Sequence, residues 1–172
     1  ETPVLTPTPP PALGTDTFSP LAVTPGQPTG TFVGQRVTQL RGDLSTLQTS
    51  ILARNLDLQV VRDQTMGTSQ RYHGTIAAIS TRLQIGTTPG NPVLVSQWNQ
   101  AQFELDRLGN DIAQMNSLAN TVASDSAFAA FLLESARATY GLAGAIDEDH
   151  RQLAILEDET NRTVVLIDRL LN

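Results

Sequence analysis

Any chemistry in this chain would have to come from two histidines, two acidic runs and a scatter of serines. His150 closes the run Asp147-Glu148-Asp149-His150, and Glu157-Asp158-Glu159 follows shortly after. On a helix Asp147 and His150 stand at i and i+3, so both can face one cation. A di-metal carboxylate bundle, however, needs two Glu-x-x-His elements and further Glu from other helices. One imperfect element is present, so the acidic runs read as a solvated helix face. Stoichiometric metal bound through His150 would be the sign of the other reading. His73 follows Tyr72 beside an apolar seam and reads as structural or solvent-facing. Ser69, Ser80 and Ser117 fall within helical patterns, and no G-x-S-x-G surrounds any serine. Neither a Walker A sequence nor G-x-G-x-x-G occurs, and the glycines at 86–90 lack the basic residue of a phosphate loop. Cysteine is absent, which removes thiolate nucleophiles, disulfides and Cys-ligated metals. The sequence thus nominates no catalytic residue, no cofactor and no metal ligand, and the expectation is a protein that is not an enzyme. The sequon Asn161-Arg162-Thr163 lies on a predicted helix and is discounted as a glycosylation site.

The elements that carry these residues are drawn by composition. Of 172 residues 40% are hydrophobic but only 5% aromatic, so a thin seam of Leu, Ile, Val and Ala is expected instead of a broad aromatic core. Net charge is −6, and all eleven basic residues are Arg, scattered singly from Arg36 to Arg169. No basic cluster could track a phosphate backbone or an anionic lipid surface, so nucleic-acid binding is not expected. No stretch approaches the roughly 20 apolar residues of a membrane span.

Residues 1–30 form one block. Eight of the ten prolines lie there, among many threonines. Proline fixes φ and removes a donor, so the block is predicted to be extended and PPII-like. It reads as a linker, or as a docking segment that orders on a partner through Leu5, Leu13, Phe18, Leu21 and Val23.

From Thr31 the pattern changes. Val33, Val37, Leu40, Leu44, Leu47, Ile51, Arg54, Leu58, Val61, Thr65, Thr68 and Tyr72 alternate steps of four and three, the a/d signature of a coiled coil. A straight helix over 31–85 would extend on the order of 80 Å at 1.5 Å per residue. Gly86-Thr87-Thr88-Pro89-Gly90-Asn91-Pro92 is the clearest punctuation, with Asn91 and Pro92 suited to the N-cap and N1 of a second helix. That helix repeats the signal at Leu94, Trp98, Ala101, Leu105, Leu108, Ile112, Met115, Ala119 and Val122. The frame breaks near Ala123-Ser124-Asp125-Ser126, where a turn and an N-cap from Ser124 or Asp125 are favoured over a continuous bent helix. A third seam then includes Phe128, Leu132, Leu153, Leu156, Ile167 and Leu170. The predicted helices are 31–85, 92–123 and 126–172. The fold class is all-α: an elongated antiparallel coiled-coil hairpin or three-helix bundle over residues 31–172, behind the Pro/Thr-rich segment. Because the second helix is the shortest, the start of the first and the end of the third are expected to leave apolar stripes exposed. Homo-oligomerisation, or docking among the subunits of a larger complex, would cover them.

Two stretches carry a resemblance: Ser69-Gln70-Arg71-Tyr72-His73-Gly74-Thr75 on through the 86–92 loop to Trp98-Asn99, and Asp147–Leu153 on through Asn161 to Asp168. They resemble the helical N-terminal region of OmpA-like, peptidoglycan-associated envelope proteins and lipoproteins, mainly alphaproteobacterial, over about residues 30–172. The resemblance implies a periplasmic, outer-membrane-associated spacer. It also implies an N-terminal anchor before Glu1 and a cell-wall-binding domain after Asn172, where the apolar pattern runs straight to the end of the chain. That family's peptidoglycan-binding residues lie in the C-terminal domain, so none is carried over. The functional expectation is a structural tether of the cell envelope. The alternative is an accessory subunit of a secretion, motor or transport assembly that docks through its Pro-rich start.

Overall fold

The computed structural model describes residues 18–20 and 22–172. Among these the chain is all-α: α1 (Phe32–Ile85), α2 (Pro92–Tyr140) and α3 (Asp147–Leu171), with no strand. Each helix start has a local cause. Thr31 caps α1, its Oγ1 accepting the Gly34 N–H at 2.8 Å. Asn91 caps α2, its Oδ1 accepting the N–H groups of Val93 and Leu94 at 3.0 and 3.3 Å, while Pro92 occupies the first helical position. Asp149 reaches back to the Ile146 N–H at 3.0 Å, and the first-turn acids Asp147, Glu148 and Asp149 meet the positive end of the α3 dipole.

The break expected at 123–126 is not there. α2 runs unbroken through it to Tyr140, and the turn lies at 141–146. Asp125 does not cap a helix. Its carboxylate faces sideways to α1, where it accepts from Ser50 Oγ at 3.1 Å and pairs with Arg54 Nε at 3.5 Å. α2 stops at Tyr140, where the Gly141 and Leu142 N–H groups donate to the Ala138 and Thr139 carbonyls at 3.2 Å, and Gly144, with a φ of 88° that residues with a Cβ rarely adopt, turns the chain toward α3.

The chain divides into two compact units: residues up to Leu56 together with Thr121–Asn172, and Asp57–Asn120. The first is a three-helix bundle. Arg41 meets Gln152 and Gln48 meets Thr163, so α1 and α3 ascend together. Arg137 meets Glu157 and Tyr140 meets the His150 carbonyl, so α2 descends between the two. Its core is built from Val33, Val37, Leu40, Leu44, Leu47 and Ile51 of α1, Ala129, Leu132 and Ala136 of α2, and Leu153, Leu156 and Ile167 of α3, all buried. Each fully buried Leu or Ile contributes about 1.5–3 kcal/mol. The stripe expected to be exposed at the start of α1 is therefore covered, Val33 to Ile51 being buried, and at the end of α3 Ile167 is buried and Leu170 half-buried while Val165 and Leu171 stay exposed. The reason is the displaced turn: the last 20 residues of α2 lie against both. The second unit is a hairpin of two helical arms, closed by the loop 86–91.

Candidate interaction surface

Two surfaces stand out, one on each unit. On the bundle, residues 22–31 form an extended strap that descends α3. The Thr24 N–H donates to Glu159 Oε1 at 2.9 Å, and the Thr24 hydroxyl donates to the same oxygen. Gln152 Nε2 donates to the Gln27 carbonyl at 3.0 Å. Thr29 and Thr31 donate to the two oxygens of Asp149 at 2.5 and 2.7 Å. Ahead of the strap, Phe18 is buried, and Val23 is half-buried. Of the proposed docking residues, Leu5, Leu13 and Leu21 lie outside the described residues. The strap suits its sequence. Pro25 and Pro28 favour extension, and its threonines supply the donors that buried carboxylates require.

Electrostatics match this geometry. Burial raises the Asp149 pKa, but hydrogen bonds from Thr29, the Ile146 N–H and Thr31, with the nearby charge of His150, outweigh it and hold the group below its ordinary value. Glu148 is pulled down to about 2, first by its hydrogen bond with Arg151 and then by Gln152. Beside the strap, a cavity of about 250 Å³ is lined by Ser19, Gln48, Glu159, Arg162, Thr163 and Leu166. The second oxygen of Glu159 has no hydrogen-bond partner.

The hairpin unit carries the other surface, and here one of the two expected seam positions of α2 fails while the other, Leu94, Ala101, Leu108 and Val122, lies inward. Val61, Thr68 and Ile79 of α1 are buried and Leu58 is half-buried, as an inward column should be. On α2 the inward residues are Leu94, Gln97, Ala101, Glu104, Leu108, Asp111, Leu118 and Val122. That column continues through Asp125, Ala129, Leu132, Ala136 and Thr139 without a phase slip. Its second heptad position is hidden in the sequence because Gln97, Glu104, Asp111 and Asp125 occupy it while the apolar Trp98, Leu105 and Ile112 stand one residue further on. Glu104 is 2% exposed; its Oε1 accepts from Gln100 Nε2 at 2.7 Å and pairs with Arg71 Nε at 3.3 Å, while Oε2 has no partner. Gln97 Oε1 and Asp111 Oδ2 are likewise buried without partners.

The expected seam position of Trp98, Leu105 and Ile112 faces outward instead. Together with Val95 (49% exposed), the residues Trp98 (56%), Leu105 (46%) and Ile112 (62%) lie on one side of the α2 arm, whereas Met115 (36%) keeps the heptad position of Leu94, Ala101, Leu108 and Val122. Leu105 and Ile112 were assigned to the intrachain seam and are not in it; Leu108 is half-buried, as is Leu170 in α3. Phe103 lies on a different face, under the Arg107 guanidinium at 5.8 Å.

Neither histidine is buried in these surfaces, although His150 follows Asp149 in the chain. His73 is exposed, edge-on to Tyr72 at 5.5 Å. His150 is exposed and stacked on Tyr140 at 5.6 Å. Among the described residues no three His, Asp or Glu side chains converge in the manner of a metal site, and no helix is long and apolar enough to cross a membrane. No protein-family model matches the chain, and no curated protein or solved structure is similar to it.

Proposed function

We propose that this is a non-enzymatic structural protein of the bacterial cell envelope, a periplasmic helical spacer that works by association. The observation that carries the reading is the outward apolar group Val95, Trp98, Leu105 and Ile112 on α2. Apolar patches of this kind on soluble domains mark binding surfaces. A helix that keeps polar residues in its intrachain seam and large apolar ones outside is arranged for a second neighbour. The Pro/Thr-rich start suits a spacer between an anchor and the bundle, and the resemblance to the helical region of OmpA-like envelope proteins supplies the compartment.

The alternative, an accessory subunit docking through its Pro-rich start, is less favoured because residues 22–31 lie on α1 and α3 of their own chain. Cell fractionation with protease accessibility tests the reading. The protein should stay with the envelope and be cleaved only once the outer membrane is opened. Recovery in the cytosol, protected until lysis, would refute it.

A further inference from the structure

The loop end of the hairpin unit differs from the rest of that unit in charge. Between Asp63 and Glu104 the chain has no Asp or Glu, and its arginines there are Arg71 and Arg82. All five acids of Asp57–Asn120, namely Asp57, Asp63, Glu104, Asp106 and Asp111, stand toward the opposite end. Arg71 is paired with Glu104, whereas Arg82 has no ion-pair partner among the described residues. Glu104, the nearest acid along α2, is about 18 Å from Pro92 at 1.5 Å per residue, more than twice the Debye length of about 8 Å at physiological salt. The loop end is thus basic, although the chain as a whole carries a net charge of −6.

Cover fails at the same place. Ile79 is the last buried residue of α1, and every residue from Ser80 to Gly90 is exposed. Leu83 is 58% exposed, Ile85 81% and Val93 47%, and all three lie within one helical turn of the loop. The start of α2 nonetheless leaves no N–H unmet. Those of Val93, Leu94 and Val95 all end on Asn91, at 3.0, 3.3 and 3.0 Å, and Pro92 has none. A helix end supplied in this way leaves bulk water at low cost. Beside it an open hollow of about 350 Å³ is lined by Arg82, Ile85, Gly86, Thr87, Thr88 and Asn91, which sets a guanidinium and two hydroxyls next to an apolar side chain. The boundary of a phospholipid bilayer asks for this combination. Apolar side chains reach the acyl chains there, phosphates lie just above them, and acids are repelled by anionic headgroups. We propose that the loop end of the hairpin binds the surface of a bilayer containing anionic phospholipid, sinking Leu83, Ile85 and Val93 while Arg82, Thr87 and Thr88 meet a headgroup phosphate. No basic cluster is required, because the apolar residues anchor and the single Arg selects. An interfacial depth of about 5–10 Å corresponds to one or two turns of helix. The inference goes beyond the spacer reading, which rests on Val95, Trp98, Leu105 and Ile112.

The full chain is floated with vesicles of phosphatidylglycerol and phosphatidylethanolamine in equal parts, and with phosphatidylcholine vesicles as the uncharged control. The expected result is tighter binding to the anionic vesicles. Ile85→Asp should weaken that binding at least tenfold while leaving the helical circular dichroism unchanged, since the position is exposed. Arg82→Gln should weaken it about fivefold, the contribution of one Arg near an anionic surface, and leave phosphatidylcholine binding as it was. Leu105→Asp, on the outward face of α2, should have no effect on either. Soluble glycerol phosphate should not release the bound protein. A chain that floats with neither vesicle overturns the inference, as does equal binding to the two. Binding that survives Ile85→Asp but is lost in Leu105→Asp places the contact elsewhere and overturns it too, and release by glycerol phosphate replaces the bilayer with a free phosphate. Cell fractionation judges the envelope reading separately, and none of these outcomes touches it.

Discussion

Asp149 is the residue on which the strap is hung. Its two oxygens take the hydroxyls of Thr29 and Thr31 and the N–H of Ile146, so one carboxylate closes the strap and caps α3 together. A carboxyl whose folded pKa lies below its unfolded value binds fewer protons when folded. Its contribution is complete above the unfolded value and drains as pH falls through the folded one. Asp149 lies below its ordinary 3.8 and Glu148 falls from an ordinary 4.5 to about 2. Glu148 is largely solvent-screened, so Asp149 should dominate. The melting temperature is expected to hold from pH 7 to about 5 and to drop toward pH 2. Asp149→Asn should flatten that drop and speed hydrogen exchange at Thr24–Thr31. An unchanged profile in the variant would remove Asp149 from this role. Glu104 illustrates the opposite case. It is buried in the seam between the arms with one oxygen unpartnered, facing an arginine that is half-exposed. Replacing one such charge by an apolar side chain of similar size relieves the unpaired oxygen, and Arg71 can turn to solvent. Glu104→Leu is expected to stabilise the hairpin by about 1–3 kcal/mol in chemical denaturation, and a loss of stability would show that the ion pair is favourable on balance.

At the scale of elements, the α2 register is the claim most open to contradiction. Ala101 is buried in the inward column and Ile112 lies outside it. Ala101→Asp should cost several kcal/mol by burying an unpaired charge, whereas Ile112→Asp should change the stability of the dilute protein by less than about 0.5 kcal/mol. Equal melting of the two would reject the inward column described here. Gly34 offers a second test. It sits in the first turn of α1, where a helix gains about 1 kcal/mol from Ala over Gly when the site is open. Here an added methyl would collide with the Thr29 hydroxyl and lie 3.0 Å from Asp149 Oδ1. Gly34→Ala should therefore lower the melting temperature despite its better propensity, and a rise would mean that the strap does not approach α1 there.

For the molecule as a whole, the two units differ in how much they can bury. The bundle covers long runs of Leu, Ile and Val on three helices, whereas among the described residues the hairpin fully covers only Val61, Ile79 and Ala101 of its large and small apolar side chains. Local opening follows buried apolar contact. Native-state hydrogen exchange should find Asp57–Asn120 less protected than Thr121–Asn172. Equal protection of the two would count against the weak hairpin.

The three helices, the loop at 86–91 and the α1 seam from Val33 to Ile51 were legible in the sequence. Local rules decide them: Gly and Pro stop helices, Asn91-Pro92 starts one, and an apolar residue every three or four positions fixes a face. The turn at 141–146 was less legible, because Ser124 and Asp125 offered a plausible cap and only the contact of Asp125 with Ser50 and Arg54 shows that its carboxylate is used otherwise. The α2 seam was legible only in half: Leu94, Ala101, Leu108 and Val122 lie inward as expected, whereas Trp98, Leu105 and Ile112 do not. Hydrophobicity says which residues seek cover but not which neighbour provides it. Once α1 takes the column containing Gln97, Glu104 and Asp111, the apolar column beside it is left to solvent or to another chain. The strap belongs to the same class, since pairing Thr24 with Glu159 and Thr29 with Asp149 spans more than a hundred residues. Chain-local preferences set the helices, and only packing between distant segments could choose which of their faces meet.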